Sequence, residues 1–142
     1  MKVLVDTSVW SLALRRKAKD LNPVEQSLVY ELTELIREGG AALIGPIRQE
    51  VLSGVRDLKV FDRLRQHLQF FRDETITSED YEQAARLNNH CRKAGVVGAH
   101  TDFLICAVAI RRRMAIFTTD IDFEHYARHL PIHLHVMRTG KT

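Results

Sequence analysis

The chain has 142 residues, and its content of 45% hydrophobic and 27% charged residues is typical of a soluble globular protein and excludes a disordered one. A net charge of +3, with an isoelectric point near 9.1, permits a polyanionic partner without requiring one. No apolar run reaches the roughly 18 residues of a membrane-spanning helix, and an apolar strand pattern begins at residue 3, where a signal peptide would lie. We therefore expect one domain over residues 1–142 in the cytoplasm, with no membrane partner.

Short apolar runs alternate with helical patterns along the chain. In order, the sequence predicts a strand (3–5), two helices (8–14 and 23–38), a strand (41–44), two helices (46–54 and 58–68) and a candidate strand (70–76). A helix from 77 to 95, an apolar helix around 103–110, a strand (115–117), a helix (122–129) and a closing edge strand (132–136) follow. Strands separated by helices indicate an α/β fold, a three-layer α/β/α sandwich with a central parallel sheet.

Local signals support several of these helices. Asn22-Pro23 is typical of a helix start, and Thr77 with Asp80 has the spacing of a capping box. Residues 103–110, FLICAVAI, are apolar on every side, so their helix should be central and buried. In the helix before it, we expect an inward face that contains the following residues: Tyr81, Ala84, Ala85, Leu87 and Cys91. Both cysteines, Cys91 and Cys106, are predicted to be reduced core residues.

Four acids are predicted to meet at one edge of the sheet. Asp6 follows the first strand directly, and Asp120 follows the strand at 115–117. Asp102 begins the apolar helix and Glu50 lies on the helix after the second strand, so both can reach the same edge. Neighbouring carboxylates repel each other, and a bound cation relieves this repulsion. Oxygen ligands favour Mg²⁺ or Mn²⁺, which can activate water for attack on a phosphodiester.

Each acid also has a structural interpretation when it is considered alone. Asp6 could cap the following helix, and Asp102 could favour the dipole of its own helix. Glu50 could simply be solvated, while Asp120 and Asp122 could be turn and cap residues. Capping does not explain acids at several strand ends together with an apolar helix that begins with an acid. The combination therefore favours a metal site.

Other chemistries are excluded by spacing. A dehalogenase-type phosphatase needs a second aspartate two residues after the first, and Ser8 occupies that position after Asp6. Gly40 and Gly45 have the separation of a P-loop, but Pro46 follows where a lysine is required. The chain has no GxGxxG for a dinucleotide and no adjacent pair of acids after the first strand, as a receiver domain would have.

Four stretches together resemble the PIN-domain ribonucleases, particularly the VapC toxins of VapBC toxin–antitoxin pairs. They are Val5-Asp6-Thr7-Ser8-Val9-Trp10, Glu50 with the residues after it, Asp102-Phe103-Leu104-Ile105, and Thr118-Thr119-Asp120-Ile121-Asp122-Phe123. The resemblance covers nearly the whole chain and implies a PIN-like α/β/α sandwich. One departure is Arg111-Arg112-Arg113, which stands where the family often has a glycine before the fourth strand.

The resemblance also implies a site and its ligands. The family gathers a quartet of acids around Mg²⁺ or Mn²⁺, and the matching residues are Asp6, Glu50, Asp102 and Asp120. The next acid matches Asp122, an auxiliary ligand. A hydroxyl near the metal often assists, and the candidates for it are Ser8, Thr7 and Thr118.

The function implied is a metal-dependent endoribonuclease that hydrolyses RNA phosphodiester bonds as the toxin of a type II toxin–antitoxin pair. Its partners would be RNA, a cognate VapB-like antitoxin and a second copy of the chain in a homodimer. The alternative is a PIN-like module that binds RNA or protein without cutting, although such a module has no need of mutually repelling acids. A structure-specific DNA nuclease of related fold is disfavoured, because 142 residues leave little room for DNA-gripping elements.

Overall fold

A computed structural model describes residues 2–138, and within them a three-stranded parallel sheet forms the centre of the fold. Its strands are β1 (Val3–Val5), β2 (Ala41–Ala42) and β3 (Ala115–Phe117), in the order β2-β1-β3. All three residues of β1 are buried, as expected for a central strand covered on both faces. The parallel sheet with its flanking helices confirms the predicted α/β sandwich.

Seven α-helices flank this sheet in the described part of the chain. They are α1 (Thr7–Leu14), α2 (Pro23–Arg37), α3 (Gly45–Leu52), α4 (Leu58–Leu68), α5 (Ser78–Lys93), α6 (His100–Arg112) and α7 (Asp122–Ala127). The predicted helix starts are confirmed, since Asn22 forms a capping box at α2 and Thr77 forms one with Asp80 at α5. Each helix between residues 2 and 138 is too short or too polar to cross a lipid bilayer.

The apolar helix α6 is the centre of the core, as its sequence predicts. Seven consecutive residues of α6 are buried, from Phe103 through Ala109. Both cysteines are buried and unbonded, which agrees with their predicted role in the core. The helix ends at Arg113, whose φ of 57° is left-handed, and this conformation explains why glycine would suit the position.

The predicted strand at 70–76 is wrong. The segment makes a single parallel bridge, between Leu43 and Asp73, and a backbone bond from Glu74 to the Leu43 carbonyl. Arg48 of α3 is a further partner of this segment, because its guanidinium donates to the Phe71 carbonyl at 2.5 Å and to Asp73 Oδ1 at 2.9 Å. It also donates to the carbonyl of Leu68, the last residue of α4, at 2.9 Å. An arginine side chain thus takes one carbonyl that strand pairing could have used.

The predicted edge strand at 132–136 is also wrong. Its pairing with β3 is one bridge, between Ile116 and Leu134, in which Ile116 donates to the His133 carbonyl and His135 donates to the Ile116 carbonyl. The predicted alternation of burial holds only at the start of the segment, where Ile132 is buried and His133 is exposed. Val136 is 79% exposed, and the His135 side chain is 10% exposed and contacts Glu31 at 2.6 Å, so the later positions do not follow it. Two backbone bonds at a single residue of β3 are too few to make a strand.

The inward face of α5 is narrower than predicted. Ala84, Leu87 and Cys91 are buried, but Tyr81 and Ala85 are exposed. The buried stripe instead begins at Asp80, which is 1% exposed and accepts two bonds from the Arg111 guanidinium of α6. The buried face of α5 therefore includes an ion pair with α6, and the ring of Tyr81 lies outside it.

Candidate metal centre

The carboxyl ends of β1 and β3 lie side by side and carry the first two acids. Asp6 follows β1, and its backbone N–H donates to the Phe117 carbonyl at 2.8 Å, which extends the β1–β3 pairing by one residue. Asp120 lies three residues after β3 ends, and Asp102 lies in the first turn of α6. This edge of the sheet is where ligands bind in parallel α/β folds.

Three of the predicted acids converge most closely. Asp102, Asp120 and Asp122 each offer a carboxylate oxygen, and these three oxygens lie within 4.8 Å of one another. A turn brings the last two acids together, because the backbone N–H of Asp122 donates to Asp120 Oδ1 at 2.9 Å. The family resemblance implied that Asp122 is an auxiliary ligand, whereas the structure groups its carboxylate with those of Asp102 and Asp120.

The electrostatics of Asp102 show the mutual repulsion at this edge. Its pKa is raised from an ordinary value of 3.8 to about 6, chiefly by burial and further by the negative charges of Asp6, Asp120 and Asp122. A hydrogen bond from Tyr126 acts in the opposite direction. Because the charge of Asp6 is among these causes, Asp6 belongs to the same group of interacting acids.

The side chain of Asp6 does not cap α1, although its position before that helix suggested that it could. Asp6 is the N-cap residue of α1 and its carbonyl accepts backbone bonds there, but its side chain makes no capping bond. Instead Asp6 Oδ2 accepts from Ser8 Oγ at 2.9 Å and from Thr118 Oγ1 at 2.8 Å. Asp6 is a buried residue, 6% exposed, so these two hydroxyls supply hydrogen bonds that a buried acid requires.

The two predicted hydroxyls have defined positioning roles. Ser8 Oγ also accepts from the backbone N–H of Thr119 at 3.0 Å, and Thr118 Oγ1 accepts from the N–H of Asp120 at 3.0 Å. Ser8 and Thr118 therefore tie Asp6 to the start of the segment that carries Asp120. The third hydroxyl candidate, Thr7, has a different partner.

Glu50 lies apart from the cluster of three acids. It is exposed on α3, and its Oε1 accepts from Thr7 Oγ1 at 2.8 Å. Because Thr7 directly follows Asp6, this bond connects Glu50 to the same edge of the sheet. The structure thus brings Asp102, Asp120 and Asp122 together, holds Asp6 beside them, and leaves Glu50 at the margin.

Sequence reasoning missed one residue of the site, Tyr126 of α7. Its ring is buried, and its phenol donates a 2.6 Å hydrogen bond to Asp102 Oδ2. Burial, and next the Asp102 carboxylate, raise the pKa of Tyr126, so the phenol remains a protonated donor. The only sequence signal is its spacing of three from Phe123, which is typical of an ordinary core position.

Comparison with known families agrees with this architecture. The sequence model of the PIN domain family matches residues 3–129, which is most of the chain. The chain therefore belongs to the PIN-domain family.

Individual relatives and structures agree with this assignment. Ribonuclease VapC11 of Mycobacterium tuberculosis is 30% identical over 130 residues, covering 89% of this chain and 92% of the relative. The FitAcB crystal structure from Neisseria gonorrhoeae aligns with a TM-score of 0.71 at 20% identity, covering 96% of this chain and 99% of that one. VapBC2 from Rickettsia felis, bound to a promoter DNA fragment, aligns with a TM-score of 0.69 at 15% identity, covering 95% and 98%. At these identities the two structures support the fold alone, and they confirm its PIN-like form.

Proposed function

We propose that this protein is a metal-dependent endoribonuclease that hydrolyses RNA phosphodiester bonds and acts as the toxin of a toxin–antitoxin pair. The similarity to a VapC ribonuclease over most of both chains supports the reaction. The observation that carries the proposal is the set of acids at the sheet edge, which lacks any cationic partner among residues 2–138.

That lack distinguishes the site from other acids of the molecule. Asp80, which is fully buried, is paired with Arg111, and Glu31, also fully buried, is paired with Arg138 at 2.9 Å. Asp6 and Asp102 have only uncharged donors, the hydroxyls of the edge and the phenol of Tyr126. Hydrogen bonds of this kind orient a carboxylate but leave its negative charge unbalanced, so the donor set fits a divalent cation.

The residues that would hold the ion are Asp102, Asp120 and Asp122, with Asp6 beside them. Their ligand atoms are all carboxylate oxygens, which favours Mg²⁺ or Mn²⁺ over softer metals. When bound, such an ion supplies positive charge for the phosphate and a water of lowered pKa. Both the identity of these ligands and the presence of the metal are part of the proposal.

The chain's own groups would then act on the substrate. Glu50 is exposed and held in place by Thr7, so its free carboxylate oxygen can accept a proton from an incoming water or orient that water. The uncompensated acids repel the RNA backbone in the absence of the cation. Cleavage by water should leave 3′-hydroxyl and 5′-phosphate ends.

The remaining partners also belong to the proposal. The structure of VapBC2 from Rickettsia felis is that of a complex, and we propose that this chain binds a VapB-like antitoxin and forms a homodimer. A mild net charge of +3 is compatible with an RNA substrate. We also propose a cytoplasmic location, because the cellular RNA that would be the substrate is found there.

The first experiment is cleavage of a mixed pool of tRNA, rRNA and mRNA by purified antitoxin-free protein with Mg²⁺ or Mn²⁺. We expect cleavage that EDTA and Asp102→Asn each abolish. Asp62→Asn is the matched control, because Asp62 is an exposed acid of α4 outside the site, and this variant should cut normally. If folded wild-type protein cuts no RNA with either metal, the non-catalytic binding module becomes the better account of the chain.

A further inference from the structure

Both the ring and the hydroxyl of Tyr126 have defined partners. Its ring packs against Phe103 at a centroid distance of 5.0 Å and against Phe123 at 5.2 Å, in tilted and edge-to-face arrangements. The ring is fully buried, and its hydroxyl makes the 2.6 Å bond to Asp102 Oδ2. Packing therefore determines where the hydroxyl lies, and the hydroxyl in turn determines the position of one Asp102 oxygen.

Gly98 supports the same arrangement from the other side. A Cβ atom at this position would lie 2.1 Å from the phenol oxygen of Tyr126 and 2.7 and 2.9 Å from two ring carbons. Gly98 does not have the left-handed backbone that Gly95 has, with its φ of +81°. The lack of a side chain at Gly98 is therefore required by the close approach of Tyr126 and not by the local turn.

From these contacts we infer that Tyr126 is a positioning residue that orients the Asp102 carboxylate for a divalent cation, and that Gly98 provides the space for it. Asp102 faces two other acids whose oxygens lie within 4.8 Å, and repulsion among them favours rotation of the carboxylate away from the cluster. A fixed donor on Oδ2 opposes that rotation before any ion arrives. Outer partners of this type commonly change metal affinity by about 10- to 100-fold.

The inference rests on the proposed metal-dependent function, and its test measures binding of Mn²⁺ alone. Tyr126→Phe keeps the ring and removes only the hydroxyl. Isothermal titration of RNA-free protein should show Mn²⁺ binding weakened about 10- to 100-fold. Cleavage by the variant should be restored largely by raising the Mn²⁺ concentration, because the acids themselves remain. A Mn²⁺ affinity within twofold of wild type in the folded variant would overturn the inference.

Two further variants make the test specific. Tyr30→Phe removes an exposed phenol of α2 and should leave the Mn²⁺ affinity unchanged. Gly98→Ala keeps the phenol in the chain but displaces it, and it should weaken Mn²⁺ binding as Tyr126→Phe does. Normal Mn²⁺ affinity in folded Gly98→Ala would also count against the inference, and this variant decides the question if Tyr126→Phe does not fold.

The outcomes separate this inference from the proposed function. If the Mn²⁺ affinity depends on Tyr126 but the wild-type protein cuts no RNA, the inference is supported and the proposed function is refuted. If the wild-type protein cuts RNA with metal but its Mn²⁺ affinity does not change on Tyr126→Phe, the function is supported and the inference is refuted. If wild-type protein binds no Mn²⁺, the inference is refuted, and cleavage with Mg²⁺ then decides the function.

Discussion

Replacing Asp102 with asparagine should stabilise the metal-free protein at pH 7. The pKa of Asp102 rises from 3.8 to about 6, and each pKa unit corresponds to about 1.4 kcal/mol. The ionised carboxylate therefore reduces the free energy of unfolding by up to about 3 kcal/mol, and by about 1–2 kcal/mol once solvent screening at this partly exposed group is included. Asparagine retains an oxygen that can accept the bond from Tyr126 but carries no charge.

The sign of the pH dependence follows from the direction of the shift. The folded protein binds the Asp102 proton more tightly than the unfolded chain does, so the destabilising effect is absent below the ordinary pKa of 3.8. It develops as the pH rises through about 6 and is complete above that value. The gain in stability of Asp102→Asn over wild type should therefore be large at pH 7–8 and small near pH 4.

Urea unfolding in EDTA, followed by circular dichroism across this pH range, measures the effect. Adding Mn²⁺ should reverse the order at pH 7, because the wild-type protein gains binding free energy that the variant loses. Asp62→Asn, an exposed acid of α4, should show neither change. The reasoning is refuted if Asp102→Asn is less stable than wild type in EDTA at pH 7, or if its gain does not depend on pH.

Three other perturbations test separate parts of the structure. Ser8→Ala removes a donor to Asp6 and should lower the cleavage rate about tenfold at saturating Mn²⁺, with initial rates as the measurement; an unchanged rate would remove Ser8 from the site. Arg113→Gly relieves a left-handed backbone and should raise the free energy of unfolding by about 1 kcal/mol, and a decrease in urea unfolding would contradict that strain. The pKa of Asp80 is lowered, first by its bonds from Arg111, so its stabilising effect is present above an ordinary pKa of 3.8 and is lost as the pH falls below it. Asp80→Asn should accordingly be less stable than wild type at pH 7, and the difference should shrink as the pH falls below 3.8; a constant difference in urea unfolding would refute this pairing.

The parts of the fold that depend on local signals could be predicted from the sequence. Helix α2 begins at the predicted cap, and α4 has the predicted bounds, because capping residues and apolar spacing act within a few positions. The segment 70–76 could not be predicted in this way. Its Phe71 carbonyl accepts a bond from Arg48, which lies 23 positions earlier in the sequence, and no local pattern shows such a partner.

In the candidate site, too, the residues marked by local signals could be predicted and those positioned by long-range contacts could not. Asp6 and Asp120 could be located because they follow apolar strands, and the carboxyl ends of parallel strands share one edge. Tyr126 could not, since its bond to Asp102 spans 24 positions and its spacing matches that of any buried aromatic residue. The tight grouping of Asp122 with Asp102 was likewise not predictable, because it depends on how the turn before α7 folds back.

The hydrogen bonds at the sheet edge share one property that bears on how the site works. Asp6, Asp102 and Asp120 each accept them through a single carboxylate oxygen: Asp6 Oδ2 from two hydroxyls, Asp102 Oδ2 from a phenol, and Asp120 Oδ1 from a backbone N–H. Among the side-chain bonds of residues 2–138, the second oxygen of each acid accepts none of these. A donor on one oxygen restricts rotation of the carboxylate, and the absence of a cationic partner preserves its charge for the ligand. Neutral donors thus orient the carboxylates without balancing their charge. Pairing with an arginine would have lowered the pKa of Asp102, and because no such partner is present, that pKa stays raised.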